Sequence, residues 1–451
     1  MRSPLFRPIA LVALLTLAPA ALAQQSAIDT LYDDQTMQYW GPRYEKGLRD
    51  NFDNVILPYL SEAERRQLTG VRIEVPSRVP GQEPFAFFTS GPPWTVTLSA
   101  ASIKFFDDLC VAQAWLNANG YSLETASEYV TMLKYRTPEA LGGAYPAVLD
   151  ALQIPADALD DQRVYNTATR LFDEAIFFIL VHELGHALYE HPGYGPGITR
   201  AEARANESAA DEFALDMMRR VGAEPTSMAF FFVAAAHYLQ GRGDFASEAA
   251  YQGFLADATH PLTAERLHAL ASSLEGSADR FAQDEGDVAA SRARILGTAA
   301  QLHQVAEILG DPGVQALIAQ KGRSMTPQML APRRPGELPN LAASGPLDDG
   351  AGAPFQGTYV GEFSDGTASL PMKTVLRRQG DQVMGEYYYG GGAGRIVGLV
   401  QDRVLYYQWL EGGASGYGYL IAAEDGSSLD GRWGHGESMD DGGTWNGAKT
   451  E

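Results

Sequence analysis

The sequence predicts an α+β fold: a mostly helical domain with a small edge-stranded sheet, followed by a small antiparallel all-β domain. Three features of the 451-residue chain lead to this prediction. Apolar residues recur with helical spacing through most of residues 100–320, a proline-rich stretch follows, and short runs with strand-like alternation fill residues 355–451. We therefore expect two folded domains, residues 24–320 and 355–451, joined by a linker over residues 321–354.

The first 23 residues have the features of a secretory signal peptide. Arg2 and Arg7 precede an apolar core over residues 9–17, and Ala21-Leu22-Ala23 offers an A-x-A cleavage site. We expect cleavage after Ala23 and export to the periplasm or out of the cell, with no stable membrane insertion afterwards. An uncleaved membrane anchor is the alternative, but the apolar core is short for a span.

The composition excludes one class of partner. The chain has a formal net charge of −22, whereas proteins that bind nucleic acid or anionic membrane surfaces carry basic patches. We therefore expect neither a nucleic-acid partner nor binding to an anionic membrane surface. The single cysteine, Cys110, cannot form an internal disulfide and is predicted to pack as a small hydrophobic residue.

Residues 24–100 are predicted to combine helices with two strands. Residues 37–52 have helical character, and Ser61-Glu62-Ala63-Glu64 is a capping box that starts a second, short helix. Residues 71–75 and 95–99 alternate between apolar and polar side chains, as half-buried strands do.

A metal-binding pattern lies at the end of a long apolar segment, residues 170–189. His182 and His186 are four residues apart, so on a helix both imidazoles point to the same side and can bind one ion. A helix so apolar on most faces is expected to be buried. A buried histidine can also be a hydrogen-bonded core residue, but Glu183 is costly to bury without a task or a partner.

A second predicted helix, residues 204–218, offers a third ligand. Glu207 follows His186 at a distance that allows a loop and a return alongside, and catalytic zinc commonly binds two histidines, one glutamate and a water. Asp211 lies one turn after Glu207, where it is placed to fix the tautomer of a ligand histidine. We therefore predict Glu207 as the third ligand. The alternatives are a solvated acidic face or another third ligand, namely Glu202, Glu212 or His191.

These residues carry a resemblance to a known family. His182-Glu183-x-x-His186 followed by Glu207-x-x-x-Asp211 resembles the pattern of gluzincin metallopeptidases. The residues from Glu207 onward, E-S-A-A-D-E-F-A, are similar to the branch that contains HtpX, BepA and the CAAX prenyl proteases. The resemblance covers roughly residues 90–275. The chain differs from the integral-membrane members because it lacks their spanning helices.

The resemblance implies a zincin-like fold and zinc-dependent hydrolysis of peptide bonds in a peptide or protein substrate. His182, His186 and Glu207 are expected to hold one Zn²⁺ ion per chain and to leave a position open for water. Glu183 is expected to act as the general base. Asp211 is expected to orient a ligand histidine.

Two further parts of a substrate site follow from the same resemblance. Thr259-His260-Pro261 and the following residues through Arg266 resemble the H-P-x-x-x-x-R segment of the branch, so His260 and Arg266 are expected to hold the substrate or the reacting carbonyl. His260 is also suited to a purely structural place at a helix start. A strand upstream of the zinc helix is expected at the sheet edge, where an extended peptide can pair with it; it comprises Thr95, Val96, Thr97 and Leu98. An interior strand is the alternative.

Residues 355–451 differ in composition from the rest of the chain. They hold nearly half of the 47 glycines, and seven short alternating runs are separated by turn signals. The runs are residues 357–363, 372–378, 382–389, 394–400, 404–410, 416–421 and 429–433. They predict an antiparallel meander, either closed into a barrel or folded as a sandwich. Its aromatic residues either form the core or line a face for a glycan or protein partner: Tyr387, Tyr388, Tyr389, Tyr406, Tyr407 and Trp409.

The predicted function is therefore that of an exported zinc metalloendopeptidase, a hydrolase. The alternative is a non-catalytic protein that uses the same scaffold and its β-domain for binding, as an envelope assembly factor or chaperone. The variant Glu183→Gln separates the two, because a binding function survives the loss of the general base.

Overall fold

A computed structural model of the chain describes residues 30–79, 84–85, 87–192, 198–245, 247–257, 262–282, 287–310, 315, 318–319, 322–323, 325–334, 354–364, 369–390, 392–401, 403–411, 414–423, 425–436 and 438–450. The predicted signal peptide, residues 1–23, lies outside the described residues, as does most of the predicted linker, residues 321–354. The described chain combines a helical domain with a separate C-terminal barrel of eight antiparallel strands. The predicted combination of a helical domain and a small antiparallel β-domain is confirmed.

The helical domain is built from α-helices that fall on or near the predicted segments. They are α1 (Asp34–Asn51), α2 (Glu62–Gln67), α3 (Ala100–Ala118), α4 (Glu124–Tyr135), α5 (Val148–Ala151), α6 (Gln162–Leu188), α7 (Arg200–Val221), α8 (Met228–Tyr238), α9 (Glu248–Asp257), α10 (Ala264–Ala282) and α11 (Val288–Gly310). Short 3-10 and π-helical turns occur at Phe52–Ile56, Leu57–Tyr59, Glu139–Leu141, Ala158–Asp160, Arg242–Asp244 and Pro327–Leu330. Side-chain caps fix several helix starts: Ser61 forms the predicted capping box of α2, and Ser99 caps α3.

Helix α6 is buried along its second half, which carries His182 and His186. Asp161 caps its start by accepting a hydrogen bond from the backbone N–H of Arg163. Every residue from Ala175 to Leu188 is buried, and the helix packs against both α3 and α7. This burial is what the nearly all-round apolar sequence predicts. Among the described residues, no helix combines the length and the apolarity needed to span a membrane.

The helical domain carries a three-stranded sheet whose order corrects one expectation. Strands β1 (Arg72–Glu74), β2 (Phe87–Ser90) and β3 (Thr95–Leu98) lie in the order β1-β3-β2. The strand β3 pairs in parallel with β1 and antiparallel with β2, so its main chain is hydrogen-bonded on both sides. The edge position expected for Thr95, Val96, Thr97 and Leu98 is therefore wrong. The strand β2, which is too short to show clear alternation, takes an edge position and packs against α6.

The C-terminal domain is a closed up-and-down barrel, which decides between the barrel and the sandwich. Its strands are β4 (Gly357–Ser364), β5 (Ser369–Gln379), β6 (Gln382–Tyr389), β7 (Gly392–Gln401), β8 (Val404–Glu411), β9 (Ala414–Ala422), β10 (Ser428–Trp433) and β11 (Gly443–Lys449). Each strand pairs with the next, and β11 closes the barrel against β4. The seven predicted runs all lie in strands. The eighth strand, β11, is missing from the prediction because its glycine-rich start has the composition of a loop.

The aromatic residues of the barrel are divided between its core and its surface. Tyr387, Tyr407 and Trp409 are buried in the barrel core, whereas Tyr388 is exposed. These three side chains therefore belong to the barrel core, and a binding face for a glycan or protein partner stays a prediction.

Candidate metal centre

Three side chains from α6 and α7 converge inside the helical domain. The Nε2 atoms of His182 and His186 are 3.1 Å apart. Glu207 reaches the same point from α7, with Oε2 3.6 Å from Nε2 of His182 and Oε1 3.5 Å from Nε2 of His186. All three side chains are buried. Within the described ranges, no other three His, Cys, Asp or Glu side chains cluster in this way.

These separations fit a metal ion. Two ligand atoms at about 2.0–2.1 Å from a tetrahedral zinc lie about 3.3 Å apart, close to the 3.1, 3.5 and 3.6 Å between the atoms of the cluster. Two imidazole nitrogens and a carboxylate oxygen are also a common donor set of catalytic zinc sites. The cluster is therefore compatible with one metal ion at the place that the sequence pattern predicts.

Each histidine of the cluster has a neighbour at its outer nitrogen, Nδ1. His182 Nδ1 lies 2.8 Å from Asp211 Oδ1, and His186 Nδ1 lies 2.9 Å from His191 Nδ1. With both Nε2 atoms bound to a metal ion, the two Nδ1 atoms would carry the protons and donate to these partners. Partial burial lowers the pKa of His191, which favours the neutral ring that can accept this hydrogen bond.

Arg266 on α10 connects the carboxylates around the cluster. Its Nε donates to Asp211 Oδ2 at 2.9 Å and its Nη2 to Oδ1 at 2.7 Å, while Nη1 lies 2.5 Å from Glu207 Oε2. Burial raises the pKa of Asp211, but the charges and hydrogen bonds of Arg266 and His182 outweigh it and hold that pKa below its ordinary value. The guanidinium therefore holds the carboxylates of Glu207 and Asp211 together beside the cluster. Contact of Arg266 with the substrate, which the resemblance implies, stays a prediction.

Glu183 lies beside the cluster without being part of it. It follows His182, so its side chain leaves the helix about 100° around the axis, and it is buried. Thr89 of β2 reaches it: Oγ1 is 2.9 Å from Glu183 Oε2 and 2.8 Å from the Glu183 carbonyl oxygen. The hydroxyl can donate its single proton to either oxygen. This contact anchors the edge strand to the carboxylate.

The alternative third ligands have other partners. Glu202 completes a capping box with Thr199 at the start of α7, and Glu212 accepts a hydrogen bond from Ser273. His191 bonds to His186 instead of joining the cluster. His260, the remaining predicted site residue, lies outside the described residues.

The sequence does not predict the contact between Thr89 and Glu183. The contact joins residues that are 94 positions apart, and nothing local marks Thr89 as special. For His191 a signal was present, because it stands five residues after His186 and just past the end of α6. His191 is predicted from the sequence only as an alternative third ligand, and the structure places it against the outer nitrogen of His186.

Residues 146–284 match the family model described as Peptidase U49. The match spans the cluster of His182, His186 and Glu207, together with Glu183 and the helix that carries Arg266. The similarity indicates a peptidase. Neither a curated protein nor a solved structure matches the chain.

Proposed function

We propose that this chain is an exported zinc-dependent metallopeptidase of the gluzincin type. The observation that carries the proposal is the buried convergence of His182, His186 and Glu207 from two helices. The similarity of residues 146–284 to Peptidase U49 supports peptidase activity independently of that geometry. We propose a relationship to the branch that contains HtpX, BepA and the CAAX prenyl proteases. Asp211, which contacts His182, follows Glu207 at the spacing of that branch's pattern.

The chain's own residues suit hydrolysis of a peptide bond. A zinc ion held by His182, His186 and Glu207 supplies Lewis-acid activation of a water and of the scissile carbonyl. Glu183 accepts the proton of the attacking water and delivers it to the leaving amine, as a general base and then a general acid. The hydroxyl of Thr89, 2.9 Å from Oε2, is placed to donate to the Glu183 carboxylate.

Two positioning roles complete the proposed site. Arg266 keeps Glu207 and Asp211 in place through three guanidinium nitrogens. His260 is proposed to hold the substrate or to stabilise the oxyanion of the reacting carbonyl.

A peptide or protein substrate is proposed to bind at the edge of β2. Among the described residues, β2 pairs with β3 alone, and its Thr89 contacts Glu183. An extended peptide on that edge would gain main-chain hydrogen bonds close to the catalytic carboxylate. The strand that was expected to do this, residues 95–98, is already paired on both sides.

Export to the periplasm or outside of the cell remains proposed from the composition of residues 1–23. N-terminal sequencing of protein recovered from the periplasm or medium tests it, with Gln24 expected as the first residue. A recovered protein that still starts at Met1 would contradict cleavage.

Metal analysis beside a casein-hydrolysis assay tests the function. The wild-type chain should bind about one zinc, and His186→Ala and Glu207→Gln should lose both zinc and activity. Glu183→Gln should keep the zinc and lose activity by about 10²–10⁴-fold. Glu212→Gln, on the same helix as Glu207 but outside the cluster, is the matched control. A wild-type protein that binds no zinc, or an active Glu183→Gln variant, would overturn the proposal.

A further inference from the structure

The barrel contains a cavity at one of its ends. In an up-and-down barrel the C-terminal ends of alternate strands meet at the same end, and here β4, β6, β8 and β10 finish beside the starts of β9 and β11. The cavity has a volume of about 220 Å³, larger than the roughly 150 Å³ that accommodates benzene elsewhere. Six aromatic side chains line it: Phe363, Tyr387, Tyr389, Trp409, Trp433 and Trp445.

The polar hydrogens of these rings are bonded within the barrel. The three indole N–H groups donate as follows: Trp409 to Gly434 O, Trp433 to Ser364 O, and Trp445 to Thr374 Oγ1. The hydroxyls of Tyr387 and Tyr389 donate to Glu411 at 2.9 and 2.6 Å. These N–H and O–H groups therefore already have acceptors in the protein and are not available as donors to a ligand in the cavity.

Glu411 adds a carboxylate to the same wall. It is half-buried and lines the cavity. Its hydrogen bond, aided by partial burial, raises the pKa of Tyr389 to about 12, so the phenol remains the donor and the carboxylate the acceptor. His435, exposed at the rim, stands edge-on to Trp433 with the ring centres 4.9 Å apart.

Two glycines make room for the tyrosines that Glu411 holds. Tyr387 pairs with Gly394, and Tyr389 pairs with Gly392, across β6 and β7. A Cβ atom on Gly394 would lie 2.3 Å from Cζ of Tyr387. One on Gly392 would lie 2.4 Å from Cζ of Tyr389 and 2.5 Å from Oε1 of Glu411. The two rings thus lie against bare backbone, which fixes the Tyr–Glu cluster at the cavity.

We propose that this cavity binds a quaternary or otherwise methylated ammonium group. Aromatic faces carry negative electrostatic potential, and cages of such rings recognise alkylated ammonium ions. Glu411 supplies a charge of opposite sign to the ligand. Five N–H and O–H donors of the lining already have protein acceptors, so they are not available to the oxygen atoms of a neutral sugar. The proposal stands independently of the metal centre.

Calorimetric titration of the full chain tests the recognition of positive charge. The probes are choline and its uncharged isostere 3,3-dimethylbutan-1-ol, which has nearly the same shape. Choline should bind at least about tenfold more tightly than the isostere, because cation–π attraction and the carboxylate act only on the ion. Equal binding of the two, or no binding of choline, tetramethylammonium or phosphocholine, would overturn the proposal.

A matched pair of variants tests the carboxylate. Glu411→Gln should weaken choline binding by about tenfold. Glu386→Gln is the control, because Glu386 accepts a comparable hydrogen bond from exposed Tyr388 on the barrel surface, away from the cavity. It should bind choline as the wild type does. Equal affinities in the two variants would overturn the assigned role of Glu411.

Vesicle flotation separates two sources of the ligand. Phosphatidylcholine and phosphatidylglycerol vesicles with the same acyl chains are compared, with free choline as the competitor. Binding to phosphatidylcholine that choline displaces supports the proposal with a lipid headgroup as the source. Binding of choline in solution without vesicle binding supports it with a free solute. Vesicle binding that is the same for both headgroups and is not displaced by choline contradicts the proposal.

Discussion

Gly185 and Ala210 lie backbone against backbone where the two ligand helices cross. A Cβ atom on Gly185 would lie 3.1 Å from Cα and 3.3 Å from Cβ of Ala210. Gly185 precedes His186, and Ala210 stands one turn after Glu207. The absence of a side chain at residue 185 thus allows the close approach of the helices at which His182, His186 and Glu207 converge.

Gly185→Ala should weaken zinc binding by about tenfold, since α7 must shift by a few tenths of an ångström and carries Glu207 with it. Helix propensity favours alanine by about 1 kcal/mol, but crowding in a packed interior costs about 1–3 kcal/mol. We expect the free energy of unfolding to stay level or to fall. Zinc competition titration and urea unfolding measure both quantities.

Gly297→Ala is the control for that substitution. Gly297 lies within α11, and a Cβ atom there would meet nothing within 4 Å. This variant should be stabilised by roughly 0.5–1 kcal/mol and bind zinc normally. If Gly185→Ala were stabilised equally and kept its zinc affinity, the close approach would be irrelevant to the site.

Arg266→Lys should lower zinc affinity by about 10–100-fold, the usual effect of losing a partner of metal ligands. Lysine keeps the charge but cannot make the paired bonds to Asp211 while also reaching Glu207. Activity should recover as zinc is raised, which distinguishes a positioning role from a direct role toward the substrate. Arg280→Lys, at an exposed site on the same helix, is the control. An unchanged zinc affinity with a raised KM would instead support the substrate role.

The parts of the site that the sequence predicted depend on short spacings. His182 and His186, and likewise Glu207 and Asp211, are four residues apart on helices, so their shared direction follows from helix geometry alone. The contacts that the sequence did not predict join segments that are far apart in the chain. Arg266 meets Asp211 across 55 positions, and Thr89 meets Glu183 across 94. Such contacts depend on how the elements pack, which local periodicity does not encode.

The two wrong predictions about the fold have a similar origin. A strand's alternation shows which side chains are buried but not how many neighbours its main chain has, so β3 was placed at an edge although it lies between β1 and β2. The glycines before and within β11 have the composition of a loop, and pairing with β10 and β4 makes the segment a strand. In both cases the partner strand, rather than the segment itself, decides the outcome.

Thr89→Val should lower kcat by about tenfold and leave KM and zinc content unchanged. The substitution removes a donor to the Glu183 carboxylate, and a hydrogen bond to a charged group contributes about 1.5 kcal/mol. Thr95→Val, on the neighbouring strand β3, is the control for loss of a threonine hydroxyl from this sheet. Steady-state kinetics and metal analysis provide the readouts. A loss of zinc in Thr89→Val would show that Thr89 acts on the ligands rather than on the base.

Glu64→Gln should destabilise the protein at neutral pH but not in acid. Arg220 on α7 donates to both carboxylate oxygens of Glu64, at 2.8 and 3.0 Å. These bonds lower the pKa of Glu64 to about 2 against the opposing effect of burial, and the backbone N–H of Ser61 adds to the lowering. A depressed pKa means that the stabilisation is fully present above the unfolded value of about 4.3. It is lost as the pH falls through the folded value.

The difference in unfolding free energy between wild type and Glu64→Gln should therefore be about 1 kcal/mol at pH 7 and shrink toward zero between about pH 5 and pH 2. Glutamine still completes the capping box with Ser61, so the helix start is preserved. Glu62→Gln is the control, because its ion pair with Arg66 is almost fully exposed; it should show little difference at any pH. Urea unfolding across this range measures the effect, and a difference that persists at pH 2 would show that it does not arise from the Glu64 charge.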